Sequence, residues 1–202
     1  MRWIAIGAAM LAAATACGTG PSGPVSASGG SPSAGSTTAG SAAPEVNPQG
    51  DIPDSTVYVP YSYAAGHFTV KVPQGWARSN QGAAVVFTDK LNSVRLEAAP
   101  ATQAPTVESA RATEVPAIQA AAGNIHVDGV TSVQRAGGTV VRISYSADSP
   151  PDAVTGKVVR DAVERYEYFH NGTEAIVTLS GPVGADNVDP WQTVSDSLGW
   201  AS

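Results

Sequence analysis

Cysteine is nearly absent from this 202-residue chain: Cys17 stands alone, so no intrachain disulfide can form and no cysteine cluster can ligate a metal. Basic charge is scarce as well. Eleven Lys and Arg face seventeen Asp and Glu, a net charge of −6, which disfavours nucleic acid and anionic lipid headgroups as direct partners. Long apolar runs are missing too: the uncharged stretch 3–14 is too short to span a membrane, and no second run approaches spanning length. The three histidines, His67, His126 and His170, lie far apart and outside any metal-ligand spacing. His126-Val127-Asp128 offers at most two ligands, so no metal and no other cofactor is expected. There is no G-x-S-x-G elbow, and near Gly156-Lys157 Pro151 stands where a P-loop needs glycine and Val158 where it needs a hydroxyl. Enzymatic activity is therefore not expected; a dispersed Ser-His-Asp triad is the catalytic arrangement left open.

What is present begins at the N-terminus. Arg2 followed by the Ala-rich stretch 3–14 has the charge and length of a signal-peptide leader, which assigns residues 1–16 to a segment removed on export. Ala14-Thr15-Ala16-Cys17 resembles a bacterial lipobox, whose cysteine sulfur carries diacylglycerol. Ala14 departs from that pattern, which prefers Leu, and Ala14-Thr15-Ala16 also satisfies the small-x-small rule of ordinary signal peptidase. An exported chain with one free thiol is exposed to oxidation and cross-linking, and lipidation removes that problem. The expectation is a lipid anchor at Cys17 on the extracytoplasmic face of the cell membrane, with a secreted soluble protein as the alternative. Loss of Arg2 would leave ten basic against seventeen acidic side chains.

Residues 17–50 are rich in Gly, Ser, Ala, Pro and Thr, with Glu45 the only ionisable side chain after Cys17. Such a composition cannot bury enough apolar surface to offset its ordering entropy. A disordered tether of this length spans roughly 30 Å as a flexible coil. It is expected to be a passive spacer, with a glycosylated Ser/Thr stalk or wall-threading segment as the alternative.

Residues 51–202 have the length of one globular domain, which buries about 70% of its unfolded surface without disulfide or metal. His67-Phe68-Thr69-Val70-Lys71-Val72 alternates with period two and ends at Pro73, predicting the first core strand. Strands at 84–88 and 93–97 follow, joined through 89–92, and a meander is the simplest pairing of the three. Thr106 predicts the cap of a helix to about Ala122, with Val107, Ala110, Val115, Ile118 and Ala121 near one face and Pro116 kinking or dividing it. Gly137-Gly138 and Asn171-Gly172 predict two hairpins. The second pairs Tyr168 with Ala175 and Tyr166 with Val177 on one face, and puts Arg165, Glu167, Phe169, Ile176 and Thr178 on the other. Both faces are partly apolar, so both are expected to be covered. The hairpin also explains Asn171-Gly172-Thr173, which matches a glycosylation sequon. Asp189-Pro190-Trp191-Gln192 predicts a capping box opening a last helix, which Gly199 stops before Trp200 folds back. The fold class is α+β, an antiparallel sheet of about six to seven strands with helices packed on it.

The Val-Pro-Gln-Gly-Trp run at 72–76, the central helix, the later hairpins and the terminal Trp200 together resemble the Mog1/PsbP-like fold. Actinobacterial lipoproteins of the LpqN type are similar in the same order, lipobox and tether included. The resemblance implies a non-catalytic binding or assembly role, and it transfers no functional residue.

Two segments are candidate binding surfaces. Tyr58, Tyr61 and Tyr63 cluster with Pro53 and Pro60 at the junction of tether and domain, where they either cover a core edge or offer a contact surface. The segment 149–157, with Asp152 and Lys157, is a long loop between hairpins, either a plain connection or a functional one. The expected function is binding of a cell-envelope protein by a membrane-anchored module. A small-ligand or lipid carrier would instead need an apolar cavity between the sheet and the helix loosened by Pro116, and a hydrolase would need a Ser or Asp within reach of a histidine in a cleft.

Overall fold

The computed structural model describes residues 49–121, 123–152 and 154–201. The leader, Cys17 and the tether as far as residue 48 lie outside the described residues. Among the described residues ten strands form two antiparallel sheets: β1 (Tyr58–Tyr63), β2 (Phe68–Pro73), β3 (Ala77–Gln81), β4 (Ala84–Asp89), β5 (Asn92–Pro100), β6 (His126–Arg135), β7 (Gly138–Asp148), β8 (Arg160–His170), β9 (Thr173–Pro182) and β10 (Gly199–Trp200). The large sheet has the order β3-β4-β5-β9-β8-β7-β6 and the small one β1-β2-β10. The α+β class holds; the expectation is one sheet of about six to seven strands, and the large sheet has seven, with a second, three-stranded sheet beside the expected one.

The Asn171-Gly172 hairpin forms with the predicted register, Tyr168 opposite Ala175 and Tyr166 opposite Val177. Asn171 and Gly172 both take positive φ, 46° and 80°, as a two-residue turn of the strand's own twist requires. In the other hairpin Arg135 pairs with Gly138, so the turn residues are Ala136 and Gly137, one position earlier than expected. Two strand expectations are corrected. The Phe68–Pro73 strand is the second rather than the first, because Tyr58–Tyr63 is itself a strand paired along its whole length with it. It belongs to the small sheet, so it has no place in a meander with β4 and β5; that place is taken by β3. All five residues of β3 are exposed, which is why no alternation announced it.

Thr106 caps the central helical segment as predicted: its side chain accepts from the Ser109 amide, and Ser109 returns the bond to the Thr106 amide. The segment is divided into α1 (Val107–Ser109), a π-helical turn (Ala110–Glu114) and α2 (Val115–Ala121). Pro116 has no N–H to give the preceding turn, and the Val115 amide reaches back five residues to Ala110 instead. Ala110 is buried with Val130, Val141 and Ile143 of the sheet, and Val107, Val115 and Ile118 pack onto them. Ala121 does not join that face and is exposed.

The opposite face of the large sheet carries the main core. Phe68, Val70 and Val72 from the small sheet meet Val94, Leu96, Tyr166, Tyr168, Val177 and Leu179. Burying each such side chain contributes about 1.5 to 3 kcal/mol. Helix α3 (Val188–Ser195) closes this side through Val194. The predicted capping box at Asp189 does not form: Asn187 occupies the cap position, and its side chain is committed to bonds outside the helix. Gly199 ends the helical stretch and Trp200 folds back against Phe68, its ring 6.1 Å away and edge-on. The buried Tyr168 hydroxyl donates to the Ser195 carbonyl at 2.6 Å, and burial pushes its pKa far above that of free tyrosine. Tyr168→Phe is expected to lower unfolding stability by about 1 to 2 kcal/mol by leaving that carbonyl unpaired, measurable by urea denaturation.

Candidate functional site

The loop between β7 and β8 is built from local hydrogen bonds. At its base the Ser149 amide donates to the Val159 carbonyl at 2.8 Å and the Val159 amide to the Ser149 hydroxyl at 2.9 Å. Further out, the Asp152 amide donates to the Lys157 carbonyl at 2.9 Å, and the Gly156 amide to the Asp152 carbonyl at 2.8 Å. The Asp152 carboxylate accepts from the Thr155 amide at 2.7 Å, the Thr155 hydroxyl at 2.8 Å and the Val154 amide at 3.1 Å. The Thr155 amide, then its hydroxyl, then the Val154 amide hold the Asp152 pKa below the ordinary carboxylate range. The loop is thereby pre-shaped, and Val154 stands at its tip 93% exposed.

Two clefts flank this loop, of about 430 and 490 Å³, and both are lined by Gln49, Lys90, Leu91, Asn92 and Asp152. Lys157 and Asp161 line the first, Asp51 and Trp76 the second. Burial raises the Asp161 pKa. Lys90 sits at the β4–β5 turn with φ of 52°, a left-handed conformation. Below it Asn92 and Asn187 share a hydrogen bond of 3.0 Å, and both donate to the Gly50 carbonyl, fixing the chain as it enters the domain. Asp152 and Lys157 thus share a wall with residues of the entry segment and the β4–β5 turn, far earlier in the sequence.

The tyrosines go elsewhere. Tyr63 is enclosed in the main core and its hydroxyl donates to the Ala83 carbonyl at 2.6 Å. Tyr61 is half-buried, packing edge-on against Phe87 at 5.0 Å, with the Arg78 guanidinium 5.9 Å from its ring. Tyr58 is half-buried at the far end of the same strand, and burial, then the charge of Asp54, raises its pKa. None of the three lines either cleft.

The histidines also stay apart. His126 lies 3.7 Å from Asp128 on an edge strand, with both side chains largely exposed. His170 Nε2 lies 2.9 Å from the side-chain Nδ2 of Asn171, and the ring stacks on Trp200 at 5.3 Å. His67 takes a left-handed turn, and its carbonyl accepts from the Ala201 amide. Among the described residues no serine or threonine hydroxyl bonds a histidine, and no three His, Cys, Asp or Glu are placed to hold a metal ion. No helix among them is long and apolar enough to cross a membrane.

A third cleft, of about 280 Å³, lies between the sheet and α3, with Arg135, Arg142, Glu164, Tyr166 and Trp191 among its walls. Arg142 pairs with Glu164 at 3.3 Å, and Tyr166 donates to the same carboxylate. Arg135 reaches the Tyr166 hydroxyl at 3.3 Å and the Ser195 hydroxyl at 3.0 Å. The sequence reading missed this group. Its signal was the alternation that puts Glu164 and Tyr166 on one face, with Arg142 directly opposite Tyr166.

No protein-family model and no curated protein sequence matches this chain. Among solved structures it is similar to the Ran-binding protein Mog1p of Saccharomyces cerevisiae, with 10% identity and a TM-score of 0.50 over 73% of this chain and 97% of that one. It is also similar to cyanobacterial PsbP (CyanoP) from Synechocystis sp. PCC 6803, with 14% identity and a TM-score of 0.48 over 75% of this chain and 98% of that one. LpqN, involved in cell envelope biogenesis of Mycobacterium tuberculosis, has 12% identity and a TM-score of 0.41 over 74% of this chain and 93% of that one. At such identities the likeness is one of fold alone, and the domain has the Mog1/PsbP-like fold.

Proposed function

We propose that this chain is a membrane-anchored, extracytoplasmic lipoprotein whose α+β domain binds a protein of the cell envelope and performs no chemistry on it. In this reading residues 1–16 are the leader, lipidated Cys17 and the tether to residue 50 hold the domain off the bilayer, and residues 51–202 do the binding. The observation that carries the binding role is the loop holding Asp152 and Lys157. It is ordered by its own hydrogen bonds rather than by packing, and it presents an exposed Val154 beside a cleft that Lys90, Asp152 and Lys157 help to line. Loops of that kind bind without first losing conformational entropy. Asp152 and Lys157 shape and flank the contact, Tyr58 and Tyr61 stiffen the neighbouring small sheet, and Tyr63 belongs to its core. That Mog1p is a Ran-binding protein makes a protein partner a familiar use of this fold.

A carrier needs apolar space, and the region between the sheet and the helical segment 107–121 is occupied by Ala110, Val130, Val141 and Ile143. This favours the binding module over the carrier.

A photo-cross-linking amino acid placed at Val154 in the full chain, expressed in its own membranes, tests the reading. One discrete protein adduct is expected from that site and none from Glu108, an exposed position on α1. Equal labelling from both positions, or none from Val154, would sink it.

A further inference from the structure

On the side facing the helical segment, the large sheet carries a group of charges remote from the loop just described. Arg165 lies at its centre. Its Nε donates to Glu167 Oε1 at 2.8 Å, and its Nη2 to Glu114 Oε2 at 3.2 Å. Glu167 stands opposite Ile176 in the β8–β9 ladder, so Glu174 is its diagonal neighbour on the same face, about 7 Å away. One guanidinium therefore faces three carboxylates. The remaining nearby charges do not correct that balance: Arg95 on β5 is spent on Glu97 at 2.9 Å, and Arg111 of the π turn reaches the Val130 carbonyl.

Glu167 is fully buried, and its Oε2 has no hydrogen-bond partner among the described residues. A buried carboxylate oxygen without a donor is costly, and folds that keep one normally supply a counter-charge. Burial raises the Glu167 pKa, with Arg165 opposing. The pKa of Glu174 is pushed up to about 7, chiefly by burial and then by the charge of Glu167. Glu114, Glu167 and Glu174 line a single cleft of about 490 Å³, whose other walls include the Ser109 and Thr113 hydroxyls and the connection 100–106.

We propose that this cleft binds a primary ammonium group, with the half-buried Glu174 carboxylate accepting its N–H bonds and the buried Glu167, together with Glu114, adding to the negative field. A divalent metal fits less well, since no three of the described His, Cys, Asp and Glu are arranged around a common point. An ammonium is compact and carries three donors, enough for two carboxylate oxygens and a wall hydroxyl. The cleft is several times larger than an ammonium, which leaves room for an aliphatic stem. That stem belongs either to a free small amine or to a lysine side chain of a partner. The site is separate from the 152–157 loop, so it stands whether or not the binding role assigned to that loop does.

The test is a titration of the full chain, in mild detergent and amine-free buffer, followed by carboxyl carbon shifts of the glutamates. The probes are cadaverine, Nα-acetyl-lysine methylamide, the uncharged 1-pentanol and calcium chloride. Cadaverine is expected to give saturable shifts at Glu174 at pH 8, and 1-pentanol none. Binding should weaken about ten-fold at pH 6, where a carboxyl of pKa about 7 is mostly protonated. Glu174→Gln and, separately, Glu167→Gln should each weaken it at least ten-fold. Equal affinity for the lysine derivative would assign the site to a partner's side chain, and a strong preference for cadaverine to a free amine; either outcome supports the proposal. No saturable shift, binding unchanged in both variants, or calcium binding the same carboxylates more tightly than either amine would overturn it.

Discussion

Replacing Cys17 with serine is expected to move the protein almost completely from the membrane fraction to the soluble fraction, and to abolish incorporation of labelled palmitate. The effect is large because the proposed anchor resides in one sulfur. Two acyl chains at about 0.8 kcal/mol per buried methylene hold a protein firmly, and loss of both leaves no other membrane attachment in this reading. The charge balance makes residual electrostatic adhesion weak, since seventeen acidic side chains face at most eleven basic ones. The folded domain should be untouched, with an unchanged Tm, because Cys17 lies far upstream of β1. Fractionation with mass measurement of the mature N-terminus checks this. A serine variant that stays on the membrane would refute the anchor. A wild-type chain cut before Cys17 but carrying no lipid would favour the secreted soluble protein, since Ala14-Thr15-Ala16 serves ordinary signal peptidase at the same bond.

The elements that sequence revealed were those whose determinants are local. Asn171-Gly172 fixed a turn, and period two then fixed which side of β8 and β9 meets the core. Thr106 and Ser109 cap each other within one helical turn, and Pro116 announced an interruption that became a π turn. What stayed hidden depends on distant partners. Tyr58–Tyr63 contains Pro60 and reads as the Pro-rich junction of tether and domain, yet it is a strand, and proline is tolerated there because β1 pairs on one side only. Asp189 resembled a cap, but the helix starts from Asn187, whose side chain answers to Gly50, Ile52 and Asn92. The site followed the same rule. The loop with Asp152 and Lys157 was recognisable as a loop, whereas its cleft walls come from 49–53 and the β4–β5 turn. That Arg165 and Glu167 share a face was predicted; that Glu167 would be sealed from solvent depends on packing across two strands and a helix.

Asn187→Ala is expected to be the most damaging of the small polar truncations, costing about 3 kcal/mol of unfolding stability. The side chain is 3% exposed and uses every donor and one acceptor: Oδ1 accepts from the Ile52 amide at 2.8 Å, and Nδ2 donates to Gly50 at 3.1 Å and Asn92 at 3.0 Å. Truncation leaves the buried Ile52 amide and the Asn92 oxygen without partners, at about 1 to 3 kcal/mol each. For a domain of this size the Tm should fall by about 6 to 12 °C. Exchange of the Ile52 amide should rise more than that of amides in β8, since the lost bonds tie the beginning of the domain to its end. Asn92→Ala breaks the same network, so the two losses should not add, and the double variant should cost less than their sum by about 1 kcal/mol or more. Gly181→Ala attacks the network from a third side, because its Cβ would overlap Asn92 Oδ1 and approach Asn187 Nδ2 at 2.7 Å. Strict additivity of the two asparagine losses would refute the network. So would a Tm shift in Asn187→Ala no larger than that of a surface substitution, since the beginning of the domain would then be held by the strand pairing of β1 rather than by these amides.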